Sequence, residues 1–140
     1  MGNIKLRIPS EVLKIAKDIR SMRIRGAGRI AREAAKALII VSEKSEDENA
    51  SKFMKRLDYA ARLLLSTRPT AVSLPNAVRY ILSRAYETFE HTSDIEKLRM
   101  VVVSSARKFI SDSLVAVERI GDIGSKLVKD GITVLTHCHS

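Results

Sequence analysis

The chain has 140 residues, 45% of them hydrophobic and 29% charged, a balance that fits one soluble globular domain rather than a disordered or fibrous chain. Lysine and arginine outnumber the acids 25 to 16, for a net charge of +9, which draws phosphate-bearing partners of any kind: nucleic acid, anionic lipid or phosphorylated metabolites. Aromatics are only 4%, with no tryptophan, so the core must be aliphatic, and base-stacking nucleic-acid modules are disfavoured.

Residues 1–8 read as a short polar lead. Pro9-Ser10 then opens a first helix with Ser10 as N-cap. Val12, Ile15, Ile19 and Met22 keep one face apolar up to a break at Gly26. The break lies inside RIRGAGRIAR, residues 23–32, where four arginines surround Gly-Ala-Gly. Gly26 and Gly28 can take positive φ and let backbone approach a ligand closely. Ile30, Ala34, Ala37, Leu38 and Val41 place a second helix from about Gly28 to Val41. A glycine turn feeding a helix N-terminus presents unpaired N–H groups and the positive end of the helix dipole, which suits phosphate. Arg25 and Arg29 would add bidentate donors. The same spacing also fits an ordinary helix–helix turn with solvated arginines.

Residues 42–49, SEKSEDEN, are a connector or the charged first turn of the next helix. Ala50, Phe53, Met54, Leu57, Ala61 and Leu64 define a third helix, which ends near Ser66 because Pro69 disfavours helix at Arg68. Ser73 caps a fourth helix, with Pro75 in its first turn and Val78, Ile81, Leu82, Ala85 and Phe89 on its apolar face. Ser93-Asp94-Ile95-Glu96 has the form of a capping box. It opens a fifth helix whose apolar positions Ile95, Leu98, Val102, Ala106, Ile110, Leu114 and Val117 all read as core. That pattern persists to about Lys129, with a kink or break expected at Gly121 and Gly124. Met100 to Ser105, MVVVSS, is apolar on more than one face, which points to self-association.

After Asp130-Gly131 the period changes. Ile132 to Thr136, ITVLT, is β-branched and apolar, the signature of a buried strand. A lone strand cannot satisfy its own backbone groups, so it must pair with something outside these residues. His137, Cys138, His139 and Ser140 end the sequence. In a strand His137 and His139 share one face and Cys138 the other, so no single metal site is expected to use all three. Cys138 on its own fits an inert buried thiol as well as a reactive one. As the single cysteine it cannot form an intrachain disulfide, which fits a reducing compartment. No apolar run approaches the ~18 residues of a membrane span, and the N-terminus has no signal-peptide core. A cytoplasmic protein with no membrane partner is therefore expected.

RIRGAGRIAR, TRPTAVSLPNAVRY (residues 67–80) and ITVLTHCHS (residues 132–140), in this order, resemble the archaeal ribose-1,5-bisphosphate isomerases. Methylthioribose-1-phosphate isomerases look like relatives, as do the alpha, beta and delta subunits of translation initiation factor 2B, the non-catalytic branch. The resemblance covers essentially the whole chain. It implies an all-α class: a five-helix bundle over residues 1–129, with residues 130–140 beginning a Rossmann-like domain whose greater part lies outside these residues. Arg25, Gly26, Ala27 and Gly28 look like the phosphate-binding turn, and Arg68 like a second substrate-binding arginine. Cys138 looks like the catalytic cysteine, with His139 and Ser140 starting a loop that touches substrate. The family's acid, an aspartate, has no counterpart among these residues.

What the resemblance implies is a sugar-phosphate aldose–ketose isomerase. It would convert ribose 1,5-bisphosphate to ribulose 1,5-bisphosphate in nucleotide salvage, as a homo-oligomer without a cofactor, and this chain alone would be inactive. The alternative is an initiation-factor-2B-like regulatory subunit acting through protein contacts. Cys138 with Arg25 and Arg68 favours the enzyme, because a scaffold needs no reactive thiol. A nucleic-acid-binding role rests on the net charge alone and is not the expected one.

Overall fold

The computed structural model describes residues 6–138. Its elements are α1 (Ser10–Arg20), α2 (Ala27–Lys44), α3 (Ala50–Leu65), α4 (Ser73–His91) and α5 (Ile95–Gly124), followed by a 3₁₀ turn at Ser125–Leu127. Among the described residues there is no strand, and the all-α class holds.

Apolar spacing decides where each helix packs. Val12, Ala16 and Ile19 of α1 are buried, as are Phe53, Leu57, Ala61 and Leu64 of α3 and Leu74, Val78, Ile81 and Ala85 of α4. The middle of the bundle is α2, which touches each of the other four helices. Its buried face is rich in alanine, with Ala31, Ala34, Ala35 and Ala37 beside Ile30, Leu38 and Val41. Small side chains let four neighbours approach one axis without voids. Ile8, expected in a polar lead, packs into this core.

Several local expectations need correction. Ser10 is the first helical residue and Pro9 holds the N-cap position, with no side-chain cap. Likewise Val72, not Ser73, precedes α4, and no side chain caps that helix. For α5 the cap is Asp94 rather than Ser93, its carboxylate accepting from the backbone N–H groups of Glu96 and Lys97 at 3.0 and 3.3 Å. Asn49 caps α3 through Lys52 N at 2.9 Å. The second helix begins one residue earlier than read and runs on to Lys44. The polar block 42–49 is thereby divided between the last turn of α2 and a connector.

The largest correction concerns α5. Leu98, Val102 and Ala106 are buried, but Leu114, Val117, Ile120 and Ile123 are exposed. The apolar stripe is real, yet the last tie to the bundle is the hydrogen bond from Arg32 Nη1 to Ser113 Oγ at 3.1 Å. Beyond it nothing among the described residues covers the stripe. The segment read as a buried strand, residues 132–136, is exposed, with Leu135 at 97%. A strand forms only against a neighbour that accepts and donates its ladder bonds, and the described residues supply none.

Contacts at the helix ends fix the direction of each element. Lys44 of α2 pairs with Glu11 of α1, and Arg20 Nη2 reaches Ser66 Oγ at 3.5 Å, joining the end of α1 to the end of α3. Tyr80 of α4 stacks on Phe109 of α5 with centroids 5.9 Å apart. Successive helices are therefore antiparallel. The α1–α2 and α3–α4 connections share one end of the bundle; the α2–α3 and α4–α5 connections share the other.

That second end is closed by the protein's own polar groups. Arg56 clasps Asp47 through Nε–Oδ2 at 2.6 Å and Nη2–Oδ1 at 2.8 Å, and this carboxylate holds the guanidinium pKa above its ordinary value. Arg99 lies over the Phe53 ring, 5.6 Å from its centroid. It donates through Nη1 to the carbonyls of Ser42 and Ser45 at 2.9 and 2.6 Å, and through Nη2 to that of Asp47 at 3.3 Å. Arg99 thus serves as the C-terminal cap of α2.

Tyr86 of α4 donates to Asp58 of α3. That hydrogen bond first, and burial second, push its pKa up to about 12 from 10.0. The raised value means that the stabilisation is complete below about pH 10 and lost as pH rises through about 12. Tyr86→Phe is expected to cost only a few tenths of a kcal/mol near neutrality, because the ring is partly exposed. It should also flatten the loss of stability between about pH 10 and pH 12, as read by urea unfolding across that range.

Candidate functional site

The end of the bundle that holds the α1–α2 and α3–α4 connections collects the arginines. The first connection is built by a reversal after α1. Ser21 N donates to Lys17 O at 2.9 Å and Ile24 N to Asp18 O at 2.9 Å, while Met22 takes φ of 61°. Ile24 is buried and anchors the connection, leaving Arg23 and Arg25 on the outside.

Gly26 occupies the N-cap position of α2 with φ 90° and ψ 127°, a conformation open in practice only to glycine. Its carbonyl accepts the first helical bond, from Ile30 N at 2.9 Å. The N–H groups of Ala27, Gly28 and Arg29 therefore have no carbonyl within the helix, and no side chain caps them. A Cβ on Gly26 would meet nothing within 4 Å, so alanine there would be resisted by the backbone alone. Gly26→Ala is expected to destabilise the chain by about 1–3 kcal/mol, measurable by urea unfolding.

Gly28 acts differently. A Cβ there would lie 2.9 Å from Arg32 Nη1, the atom that holds Ser113. The first glycine provides a backbone conformation; the second provides room for an arginine.

The second connection carries Arg68. Thr67 is folded back on the end of α3, its Oγ1 donating to Leu64 O at 2.5 Å. Ala71 N donates to Arg68 O at 3.1 Å and Leu74 N to Ala71 O at 3.1 Å, two tight turns in succession. Arg68 is partly buried, and its Nη1 is shut from solvent without a hydrogen-bond partner. So is the Ser73 hydroxyl, at a cost of about 1–3 kcal/mol for such a group.

The two ends of the bundle differ in kind. At one, Arg56 and Arg99 are satisfied by Asp47 and by backbone carbonyls. At the other, no carboxylate among the described residues lies within ion-pair reach of Arg25, Arg29 or Arg68, and Arg23 has only Asp18 at 3.9 Å. Cationic side chains at the same end as an uncapped helix N-terminus, with Asp18 the only carboxylate among the described residues in ion-pair reach of any of them, can draw an external anion.

The fold thus brings Arg25, Gly26, Ala27 and Gly28 to the same end as Arg68. Cys138 lies at the end of the exposed segment that follows α5, and His139 and Ser140 fall outside the described residues. Among the described residues no three His, Cys, Asp or Glu side chains gather as a metal-ligand set. Nor, among the described residues, is any helix long and apolar enough to cross a membrane. Sequence reasoning took Ser73 for a cap, whereas its hydroxyl caps nothing and lies buried without a partner. That reasoning also missed the Arg32–Ser113 tie, which depends on two helices meeting.

The sequence model of the initiation factor 2 subunit family matches residues 23–140. The ribose 1,5-bisphosphate isomerase of Thermococcus kodakarensis is 48% identical over 135 residues, covering 96% of this chain and 42% of that protein. Among solved structures, the 5-methylthioribose 1-phosphate isomerase of Pyrococcus horikoshii OT3 aligns with a TM-score of 0.80 at 29% identity, over 87% of this chain and 34% of that one. The delta subunit of translation initiation factor eIF-2B from A. fulgidus aligns with a TM-score of 0.72 at 26% identity, over 86% of this chain and 34% of that one. The chain therefore spans well under half the length of the relatives it matches.

Proposed function

The chain belongs to the initiation factor 2 subunit family, and we propose that within it this chain is the phosphate-binding helical part of a ribose-1,5-bisphosphate isomerase. The observation that carries the reading is the bundle end that holds Arg25, the uncapped N-terminus of α2 and the partnerless Arg68 Nη1, with no carboxylate among the described residues in ion-pair reach of either arginine. A sugar bisphosphate brings about four negative charges near neutral pH, since its second pKa values are about 6. Two arginines and a helix N-terminus neutralise much of that charge.

In ribose 1,5-bisphosphate C1 carries both the phosphate ester and the ring oxygen. Forming the C2 ketone therefore requires one group to take the proton from C2 and return a proton to C1, and another to protonate the ring oxygen as its bond to C1 breaks and to take the proton from the C2 hydroxyl. Cys138 is the candidate for the first of these. It must act as thiolate, which neighbouring cationic and phosphate-binding groups favour. His139 and Ser140 are assigned to the same substrate loop. Residues 1–129 are read as one helical domain. Residues 130–140 begin a Rossmann-like domain, in which Ile132 to Thr136 becomes a strand once paired. The exposed stripe of α5 and the exposed Met100 support a homo-oligomer. A basic chain with one cysteine fits the cytoplasm. Likeness to the eIF-2B delta subunit supports a second reading, a regulatory subunit, but such a role leaves the partnerless arginine without a purpose.

A chimera provides the test. This chain is grafted in place of the equivalent part of the T. kodakarensis enzyme and assayed with ribose 1,5-bisphosphate. Turnover by the chimera, with only weak phosphate binding and no turnover by the 140-residue chain, is the expected result. A folded chimera that binds no bisphosphate would refute the reading.

A further inference from the structure

We propose that Ser73 is a further substrate-binding residue, its hydroxyl donating to the phosphate group that Arg68 engages. The inference rests on the reading of this bundle end as a phosphate site. Three side-chain polar atoms among the described residues are buried without a hydrogen-bond partner: Arg68 Nη1, Ser73 Oγ and Arg99 Nε. The third has the Glu96 carboxylate 3.3 Å away. The other two have no such neighbour, and both belong to the six residues 68–73. The two turns closed by Arg68 O and Ala71 O fold that stretch back on itself at the arginine-lined end.

Serine ordinarily finds a partner within its own chain segment. Ser45, Ser66, Ser83 and Ser104 each donate to the carbonyl three residues back. Ser73 makes no such bond, and although it begins α4 it caps nothing. The Ser73 hydroxyl and Arg68 Nη1, both without an acceptor among the described residues, can be satisfied together by one acceptor with several oxygens. A sugar phosphate monoester supplies three on one phosphorus. Ser73 also stands in the first turn of α4, where the helix dipole favours the same negative charge.

The experiment measures binding of ribose 1,5-bisphosphate to the 140-residue chain by titration calorimetry, for the unmodified protein, Ser73→Ala and Arg68→Ala. Melting temperatures are recorded without ligand. The expected result for Ser73→Ala is affinity about tenfold weaker, as for loss of one hydrogen bond to a charged group. Its ligand-free melting temperature should be unchanged or higher, because alanine removes a buried hydroxyl that has no partner. Unchanged affinity in Ser73→Ala, with binding lost in Arg68→Ala, overturns the assignment of Ser73 and leaves the phosphate site standing. Weaker affinity together with a lower melting temperature also overturns it, since the serine is then structural. Absence of saturable binding by the unmodified chain overturns both readings.

Discussion

Serine in place of Cys138 is expected to lower kcat for ribose 1,5-bisphosphate in the chimera by about 10³-fold, within the 10²–10⁴ range of a positioned acid–base group. The oxygen replaces sulfur with little change in shape, but a hydroxyl holds its proton far more tightly than a thiol with a pKa of about 8.5. KM should change little, because the phosphates are held elsewhere, by Arg25, Arg68 and the α2 N-terminus. Steady-state kinetics across substrate concentrations separate the two constants. A fall in kcat/KM caused only by KM would make Cys138 a binding group and refute the catalytic role.

Alanine in place of Arg99 is expected to cost about 3 kcal/mol of stability, because a buried charged donor is worth more than a neutral one and leaves orphans behind when removed. The carbonyls of Ser45 and Asp47, just beyond α2, would lose their arginine donor together, and that of Ser42 would keep only the long bond from Ser45 Oγ. The face of Phe53 would lose the cation above it, and the guanidinium's packing would go too. Lysine at the same position keeps a charge but cannot fork across several carbonyls, so it should recover only part of the loss. Equilibrium urea unfolding of both variants provides the measure. A loss below about 1 kcal/mol for alanine would show the clasp to be a surface ornament.

The helices were legible because burial of one aliphatic stripe repeats every three or four residues, and a packed bundle needs such a stripe. Val12 and Ile19, or Leu57, Ala61 and Leu64, announce themselves in that way, whereas Met22, read on the same face as Val12, lies exposed in the turn after α1 and Ala16, not read there, is buried. The caps were less legible. Ser10, Ser73 and Ser93 all have the right chemistry, but Pro9, Val72 and Asp94 occupy the capping positions, because backbone dihedrals set by the neighbouring connections choose the residue. Periodicity also cannot say what lies opposite a stripe. Val117 and Ile120 carry the same spacing as Leu98 and Val102, yet the bundle ends before it reaches them. Ile132 to Thr136 has strand chemistry, and strand formation waits on a neighbour. As for the candidate site, the positive φ of Gly26 was legible in the sequence, while Arg68 was named there only through resemblance. Arg99 was hidden, since a charge at the margin of an apolar stripe looks like one more solvated side chain until helices α2 and α5 are seen together.

The projecting half of α5 has a mechanical consequence. From Ser113 to Gly124 the helix runs about 16 Å at 1.5 Å per residue, and the segment leading to Cys138 is hung from its tip. It is a lever with its fulcrum at the Arg32–Ser113 hydrogen bond. A tilt of about 4° there swings the tip by about 1 Å, a displacement that can cost a reaction 10²-fold. Phe109 and Ile110 pack against the core just before that bond, and Arg32 is the last side chain of the bundle seen to hold the helix, its Nη1 lying 2.9 Å from where a Cβ on Gly28 would stand. A glycine that reads as a phosphate-loop residue thereby also leaves room for the last side chain that ties α5 to the bundle.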